Sequence, residues 1–146
     1  MTDLRELYQE MILDHQKNPR NHYALANPTS QANGFNRLCG DRLTVYLQID
    51  RNTVRDISFV GCGCAISQAS ASMMTEALHG LTLPAAQQVF ADFHAMLTEN
   101  DADVIAGKLS VLAGVRLFPA RVKCATLAWH TMVAALKNES ATVVTE

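Results

Sequence analysis

Three cysteine segments, far apart in the sequence, constrain how this chain can fold. Cys39 lies two residues before Asp41 with a glycine between them, Cys64 follows a glycine, and Cys124 lies in the last quarter of the chain. Thiols placed beside glycine and a carboxylate, and too few for a disulfide scaffold, point to a metal or to sulfur chemistry. We therefore expect a fold that brings these four side chains to one point.

Three sulfurs and one carboxylate oxygen suit a tetrahedral zinc site or one edge of an iron–sulfur cluster. The residues alone do not choose between the two, because both use thiolates. Two simpler interpretations stay open. A single cysteine near glycine is often merely buried, and Asp41 could cap a turn. Cys62 is expected to be a spare thiol, with either a packing role or a secondary redox or ligand role.

Composition predicts one globular domain over residues 1–146. With 146 residues, 49% hydrophobic and 18% charged, the chain can bury a core without disulfides. A net charge of -2 without a basic cluster argues against a nucleic-acid partner. The apolar runs are too short for a membrane span, and the N-terminus is polar, unlike a signal peptide. The sequence thus predicts a cytoplasmic protein whose partners are proteins or small species.

The first half of the chain predicts a helix followed by a hairpin. Apolar residues at helical spacing indicate a helix over about 3–17, which Asn18–Pro19 ends. A loop rich in Asn, Ser, Gly and Pro follows to about Leu38. Alternating residues 43–49 and the segment 54–60 form two antiparallel strands, with room for a third strand drawn from the preceding loop.

The second half predicts four helices, placed by proline and glycine signals. They run over 65–79 before Gly80, from Pro84, from Asp101 to a stop at Gly114, and from Pro119 to about Lys137. The polar tail, 138–146, is expected to be disordered. The fold class is therefore α+β, with a small antiparallel sheet of two to three strands packed against about five helices.

The predicted helices give two of the thiols a distinct environment. Cys64 lies where a glycine-rich turn becomes a helix, and Cys124 lies in the opening turns after Pro119. The positive end of each helix dipole would favour a thiolate. Arg121 and Lys123 add positive charge beside Cys124, although both are equally compatible with solvated surface charges.

Several longer segments stand in an order typical of one protein family. They are Leu7–Tyr8, Leu13–Asn21, Cys39–Asp41, Gly63–Cys64, Ala69–Glu76 and Arg121–Trp129. Together they resemble the SufU branch of the IscU/NifU-like iron–sulfur cluster assembly proteins, over roughly residues 4 to 137. The resemblance implies the SufU/IscU-like fold, and a role in iron–sulfur cluster biogenesis.

Two sequence features favour the SufU branch over the scaffold-type IscU proteins. Those scaffolds typically carry a histidine where this chain has Lys123. They also have a shorter segment between the second and third cysteines than residues 65–123, which separate Cys64 from Cys124 in this chain. The scaffold alternative, in which a [2Fe-2S] cluster or iron occupies the site, stays open. So does a zinc-stabilised adaptor that binds the partner enzyme without accepting sulfur.

The resemblance also assigns roles to individual residues. It implies that Cys39, Asp41, Cys64 and Cys124 bind one Zn²⁺ and that Cys39 is the catalytic sulfur acceptor. The donor would be a PLP-dependent cysteine desulfurase of the SufS kind. The recipient would be a downstream iron–sulfur scaffold of the SufB kind.

Overall fold

The computed structural model describes residues 4–99, 107–138 and 141–145, with the backbone alone at residues 4–8. The elements are, in chain order, α1 (Leu4–Lys17), β1 (Ser30–Asn36), β2 (Asp41–Asp50), β3 (Thr53–Cys62), α2 (Ala65–Leu78), α3 (Leu83–Thr98), a 3-10 helix (Lys108–Leu117), α4 (Pro119–Leu136) and β4 (Val143–Val144). The predicted α+β class, with about five helices, is confirmed.

The sheet has four strands in the order β3-β2-β1-β4, not the two to three antiparallel strands expected. The central hairpin matches the sequence pattern, because Leu43, Val45 and Leu47 of β2 are buried on one face. Its turn uses Arg51 and Asn52 at φ 51° and 62°, the pair of positive φ values that a tight two-residue hairpin favours. The third strand, β1, does come from the Asn-rich loop and pairs antiparallel with β2.

The fourth strand corrects the prediction of a disordered tail at residues 143–145. Val143 and Val144 pair in parallel with Gly34 and Phe35 of β1. The Thr145 N–H donates to the Phe35 carbonyl at 3.0 Å. Polar composition alone had indicated fraying, but β1 offers an unpaired edge, and two β-branched residues can satisfy it.

The third of the four helices predicted in the second half, from Asp101 to Gly114, ends later in the structure. Its expected start at Asp101 lies outside the described residues. Gly114 does not stop it, because the 3-10 helix continues from Lys108 to Leu117. The chain then turns at Phe118, whose N–H donates to the Val115 carbonyl at 2.8 Å.

Helices α2 and α4 pack together on the inner face of the sheet. The Trp129 indole on α4 donates to Ser70 Oγ on α2 at 3.1 Å, and Ser70 in turn donates to the Ala125 carbonyl. Phe93 of α3 stacks on Trp129 with ring centroids 4.4 Å apart. Within the described residues, none of the helices has both the length and the apolarity that crossing a membrane requires.

Helix α1 is attached to α2 through a buried histidine. His15 Nδ1 lies 2.7 Å from Ser72 Oγ, which also accepts the Arg20 N–H at 2.8 Å. His15 Nε2 faces the Glu76 carboxylate at 3.6 Å. Two of the segments that carried the family resemblance, Leu13–Asn21 and Ala69–Glu76, therefore meet here, and their polar residues fix α1 against the core.

Candidate metal centre

The base of the β1–β2 hairpin holds the first part of the site. Asn36, the last residue of β1, pairs directly with Asp41, the first residue of β2. Directly opposed residues of an antiparallel pair point to the same face, and both side chains are fully buried. Cys39 lies in the loop between them, followed by Gly40 at φ 68°, a left-handed conformation that glycine adopts without strain.

Two helices supply the remaining sulfurs. Cys64 is the N-cap residue of α2, and its Sγ accepts the Ser67 N–H at 3.4 Å. Cys124 lies in the second turn of α4 and is buried, with its Sγ 3.0 Å from Cys39 Sγ. One ligand atom from each of Cys39, Asp41, Cys64 and Cys124 lies within 4.8 Å of the others. The fold brings together the four residues named from the sequence, and their role as metal ligands stays a prediction.

The Asp41 carboxylate is fixed at both oxygens. Oδ1 accepts the Cys64 backbone N–H at 2.8 Å, and Oδ2 accepts Asn36 Nδ2 at 3.2 Å. Gly63 makes this approach possible, because a Cβ at that position would meet Asp41 Oδ1 and lie 3.0 Å from its Cγ. The turn-capping interpretation of Asp41 is therefore partly right, since the carboxylate does receive an N–H at the start of α2.

The predicted effect of the helix dipole on the Cys124 thiolate is opposed by burial of the thiol. Burial strongly raises the pKa of the Cys124 thiol, and the hydrogen bonds with Cys39 and Asp41 raise it further. The dipole acts mainly within the first turn, whereas Cys124 lies one turn deeper among other acidic groups. A positive charge in the cluster would favour deprotonation of this thiol.

Of the two cationic residues predicted to support the site, Arg121 contacts it. Arg121 is exposed and its Nη1 donates to Cys39 Sγ at 3.6 Å. The pKa of the Arg121 guanidinium is raised, mainly by a hydrogen bond with Cys124 and then by the charges of Cys64 and Cys39. Lys123 is half-buried, and among the described residues its side chain has no hydrogen bond or ion pair with the cluster.

Cys62 lies outside the cluster for a reason visible in the strand register. It pairs directly with Arg42, so both side chains point to the outer face of the sheet. Asp41, one residue before Arg42, points to the inner face. Cys62 is exposed, and Gly63 separates it from Cys64, which caps α2.

The donor set fits a tetrahedral thiophilic cation. Three sulfurs and one carboxylate oxygen are the ligands that Zn²⁺ takes, and the four atoms come from three separate elements. A divalent cation would also supply the positive charge that a thiolate at the buried Cys124 needs. The geometry is equally open to the other thiophilic occupant expected from the sequence, an iron–sulfur cluster.

Asn36 was not predicted as a site residue, and Gly63 was named only as part of a motif. Asn36 touches Asp41 and also donates to Cys124 Sγ at 3.4 Å, and Gly63 makes room for the carboxylate. Asn36 stood in a segment rich in loop-forming residues, where an asparagine carries no special signal. Only the hairpin register reveals that it faces Asp41.

Comparison with known proteins places this geometry in a family. A family model described as the NifU-like N-terminal domain matches residues 7–143. The zinc-dependent sulfurtransferase SufU of Bacillus subtilis is 40% identical over 139 residues, which cover 94% of each chain. The iron–sulfur cluster assembly scaffold protein IscU of Streptococcus pyogenes is 38% identical over 143 residues, covering 96% of this chain and 89% of the relative.

A solved structure agrees with the sequence relatives. It comes from Fervidobacterium islandicum AW-1 and is described as an iron–sulfur cluster assembly scaffold protein for the SUF system. It superimposes with a TM-score of 0.83 at 33% identity, covering 92% of this chain and 99% of the other. With matched motifs, a shared fold and near-complete coverage, the chain belongs to the NifU-like N-terminal domain family of SufU and IscU proteins.

Proposed function

We propose that this protein is a zinc-dependent sulfurtransferase of iron–sulfur cluster assembly, with Cys39 as its sulfur acceptor. The observation that carries the proposal is the convergence of Cys39, Asp41, Cys64 and Cys124, with Cys39 on the loop between β1 and β2. The Bacillus relative is named a zinc-dependent sulfurtransferase, which agrees with that site. The cation would hold the thiolates deprotonated without redox chemistry of its own.

The chemistry at Cys39 is a thiol exchange. Its thiolate attacks the outer sulfur of a persulfide on a PLP-dependent cysteine desulfurase of the SufS kind. The sulfur–sulfur bond of the donor breaks, the donor cysteine leaves as a thiolate, and Cys39 becomes the persulfide. Arg121, 3.6 Å from Cys39 Sγ, places positive charge beside the reacting sulfur. The persulfide sulfur then passes to a downstream scaffold of the SufB kind.

The surface beside Cys39 suits a protein donor. Leu38, which precedes Cys39, is 61% exposed, and Leu117 and Phe118 are 75% and 61% exposed. Leu117 and Phe118 line the same cleft of about 580 Å³ as Arg121. Apolar side chains left in water around a reactive residue are typical of a docking surface. They would bring the desulfurase persulfide to Cys39 and exclude water from the exchange.

The test is persulfide formation on the variant Cys39→Ser. After incubation with desulfurase and cysteine, mass spectrometry should find one added sulfur on Cys39 of the wild type and none on the variant. The variant should still fold and keep zinc at reduced affinity, because Cys64 and Cys124 are held by helices. Added sulfur on Cys64 or Cys124, with Cys39 unmodified, would contradict the assignment.

Two other outcomes correspond to the competing functions. The second candidate, an iron–sulfur scaffold, is favoured by the Streptococcus and Fervidobacterium relatives, both of which are named as assembly scaffold proteins. It would give a coloured protein with stoichiometric iron and sulfide instead of zinc. The zinc-stabilised adaptor would show loss of zinc or of the fold in Cys39→Ser, with no sulfur acceptance in the wild type.

A further inference from the structure

One buried side chain connects the elements that carry the site. Asn36 is fully buried at the end of β1. Its amide nitrogen donates to Asp41 Oδ2 at 3.2 Å and to Cys124 Sγ at 3.4 Å. Its carbonyl oxygen accepts the Leu38 N–H at 3.2 Å. Asn36 thus contacts β2, α4 and the loop that leads into Cys39.

The chemistry of an amide suits this position better than any charged group. Both N–H bonds point at acceptors that bind a cation as anions, a carboxylate and a thiolate, and the amide oxygen is used by the loop. If the Asn36 amide were flipped, its carbonyl oxygen would face the Asp41 carboxylate, and two acceptors would repel each other. A neutral donor also compensates negative charge without competing for the cation. Partners of this kind orient metal ligands, and their loss typically weakens metal affinity by about 10–100-fold.

The contacts of Asn36 separate Asp41 and Cys124 from Cys39. Asp41 is held by Asn36 and by the Cys64 N–H, and Cys124 is held by its helix and by Asn36. Cys39 lies on the hairpin loop, and Asn36 supports that loop only through its backbone at Leu38. Asn36 therefore fixes the ligands that stay and leaves the Cys39 side chain free to leave.

We propose that Asn36 is the positioning residue of this centre, keeping Asp41 and Cys124 in place as zinc ligands while Cys39 is released to accept sulfur. The inference rests on the proposed function for the departure of Cys39. The positioning of Asp41 and Cys124 rests on the geometry alone.

The test measures zinc affinity by chelator competition in Asn36→Ala and Asn36→Asp. The aspartate has the same size and keeps the oxygen that Leu38 needs, but it lacks both N–H donors. Each variant should bind zinc about 10–100-fold more weakly than wild type. The matched control is Asn33→Ala, on the same strand, because Asn33 is exposed and bonds to Thr44 away from the site. Its affinity should equal that of wild type.

Two further readouts separate positioning from general support of the fold. The cobalt-substituted protein reports ligand geometry, so its absorption bands should shift in both Asn36 variants at saturating cobalt. In a Cys39→Ser background, Asn36→Ala should weaken zinc binding by a larger factor than in the wild-type background. Wild-type affinity with unchanged cobalt bands in Asn36→Asp, or equal factors in the two backgrounds, would overturn the proposal.

These results are independent of sulfur transfer. If wild-type Cys39 accepts no sulfur but the Asn36 variants lose zinc as expected, the proposed function fails and the positioning of Asp41 and Cys124 stands. If Cys39 accepts sulfur and zinc affinity is unchanged in the Asn36 variants, only the inference about Asn36 fails. Thermal unfolding of the metal-free variants completes the set, and a lowered melting temperature with unchanged zinc affinity would make Asn36 merely structural.

Discussion

At the scale of single residues, two cysteines separated by one glycine have different surroundings. Cys62 ends β3 on the outer face of the sheet opposite Arg42, whereas Cys64 begins α2 and faces Asp41. A thiol cannot reach across the sheet to the other face, so proximity in sequence does not make Cys62 a ligand. Because Cys62 is exposed, a packing role for its side chain is disfavoured, and the secondary redox or ligand role stays open.

The first prediction at this scale is that Cys62→Ser keeps one zinc per chain at wild-type affinity and accepts sulfur normally. Its physical basis is the outward orientation imposed by the strand register. Zinc content and chelator competition measure it. Cys64→Ser is the matched control and should lose more than about tenfold in affinity, beyond what outer-shell changes begin to cost. Metal loss in Cys62→Ser would show that the wrong thiol has been assigned.

At the scale of secondary-structure elements, the attachment of α1 to α2 depends on a neutral histidine. His15 is 1% exposed, and burial, followed by the charge of Arg20, lowers its pKa below the ordinary value of 6.5. Glu76 opposes the shift without reversing it. The ring therefore stays neutral in the folded protein at pH values where the unfolded chain already binds a proton.

The corresponding prediction concerns stability against pH. Because the folded pKa of His15 is depressed, its contribution is fully present above about pH 6.5 and is lost as the pH falls from there through the folded value. His15→Gln should cost about 1–3 kcal/mol near neutral pH, through the lost bond to buried Ser72. It should also flatten the acid side of the profile. Burial lowers the pKa of His130 as well, so some acid dependence should remain.

Urea unfolding from pH 7.5 to 5 measures both effects. His79→Gln is a suitable control, because His79 is exposed and its ion-pair partner Asp56 lies at the surface. An acid-side slope as steep in His15→Gln as in wild type would contradict the assignment of this titration to His15.

At the scale of the whole molecule, the candidate metal centre joins elements that the core already holds together. The core around Val45, Leu47, Phe59 and Trp129 is fully buried without any contribution from the cluster. The four site residues come from the β1–β2 loop, the start of β2, the N-cap of α2 and the second turn of α4. We therefore expect the metal-free protein to fold and the cation to add stability by binding only the folded state.

The prediction is that zinc at about 100 times its dissociation constant stabilises the fold by about 2.7 kcal/mol. For a chain of this size that corresponds to a rise in melting temperature of roughly 5–10 °C. Differential scanning calorimetry with and without a chelator measures it. Cys124→Ser should show almost no zinc-dependent shift. A metal-free protein without a cooperative transition would contradict the claim that the core folds by itself.

The sequence by itself determined the α+β order, the β2–β3 hairpin and most helix bounds. Alternating apolar residues, proline and glycine act locally, so one sequence is enough to place them. It also named Cys39, Asp41, Cys64 and Cys124, because thiols beside glycine and a carboxylate are chemically conspicuous, and motif resemblance indicated the family.

Only the tertiary structure decided the remaining features. The pairing of Val143–Val144 with β1 depends on partners 109 positions earlier in the chain. The orientation of Cys62 depends on which residue of β2 it faces, and the raised pKa of Cys124 depends on burial beside Cys39 and Asp41. The contacts of Asn36 with Asp41 and Cys124 form only when β1 pairs with β2 and α4 packs beside them, and such contacts leave no trace in local periodicity.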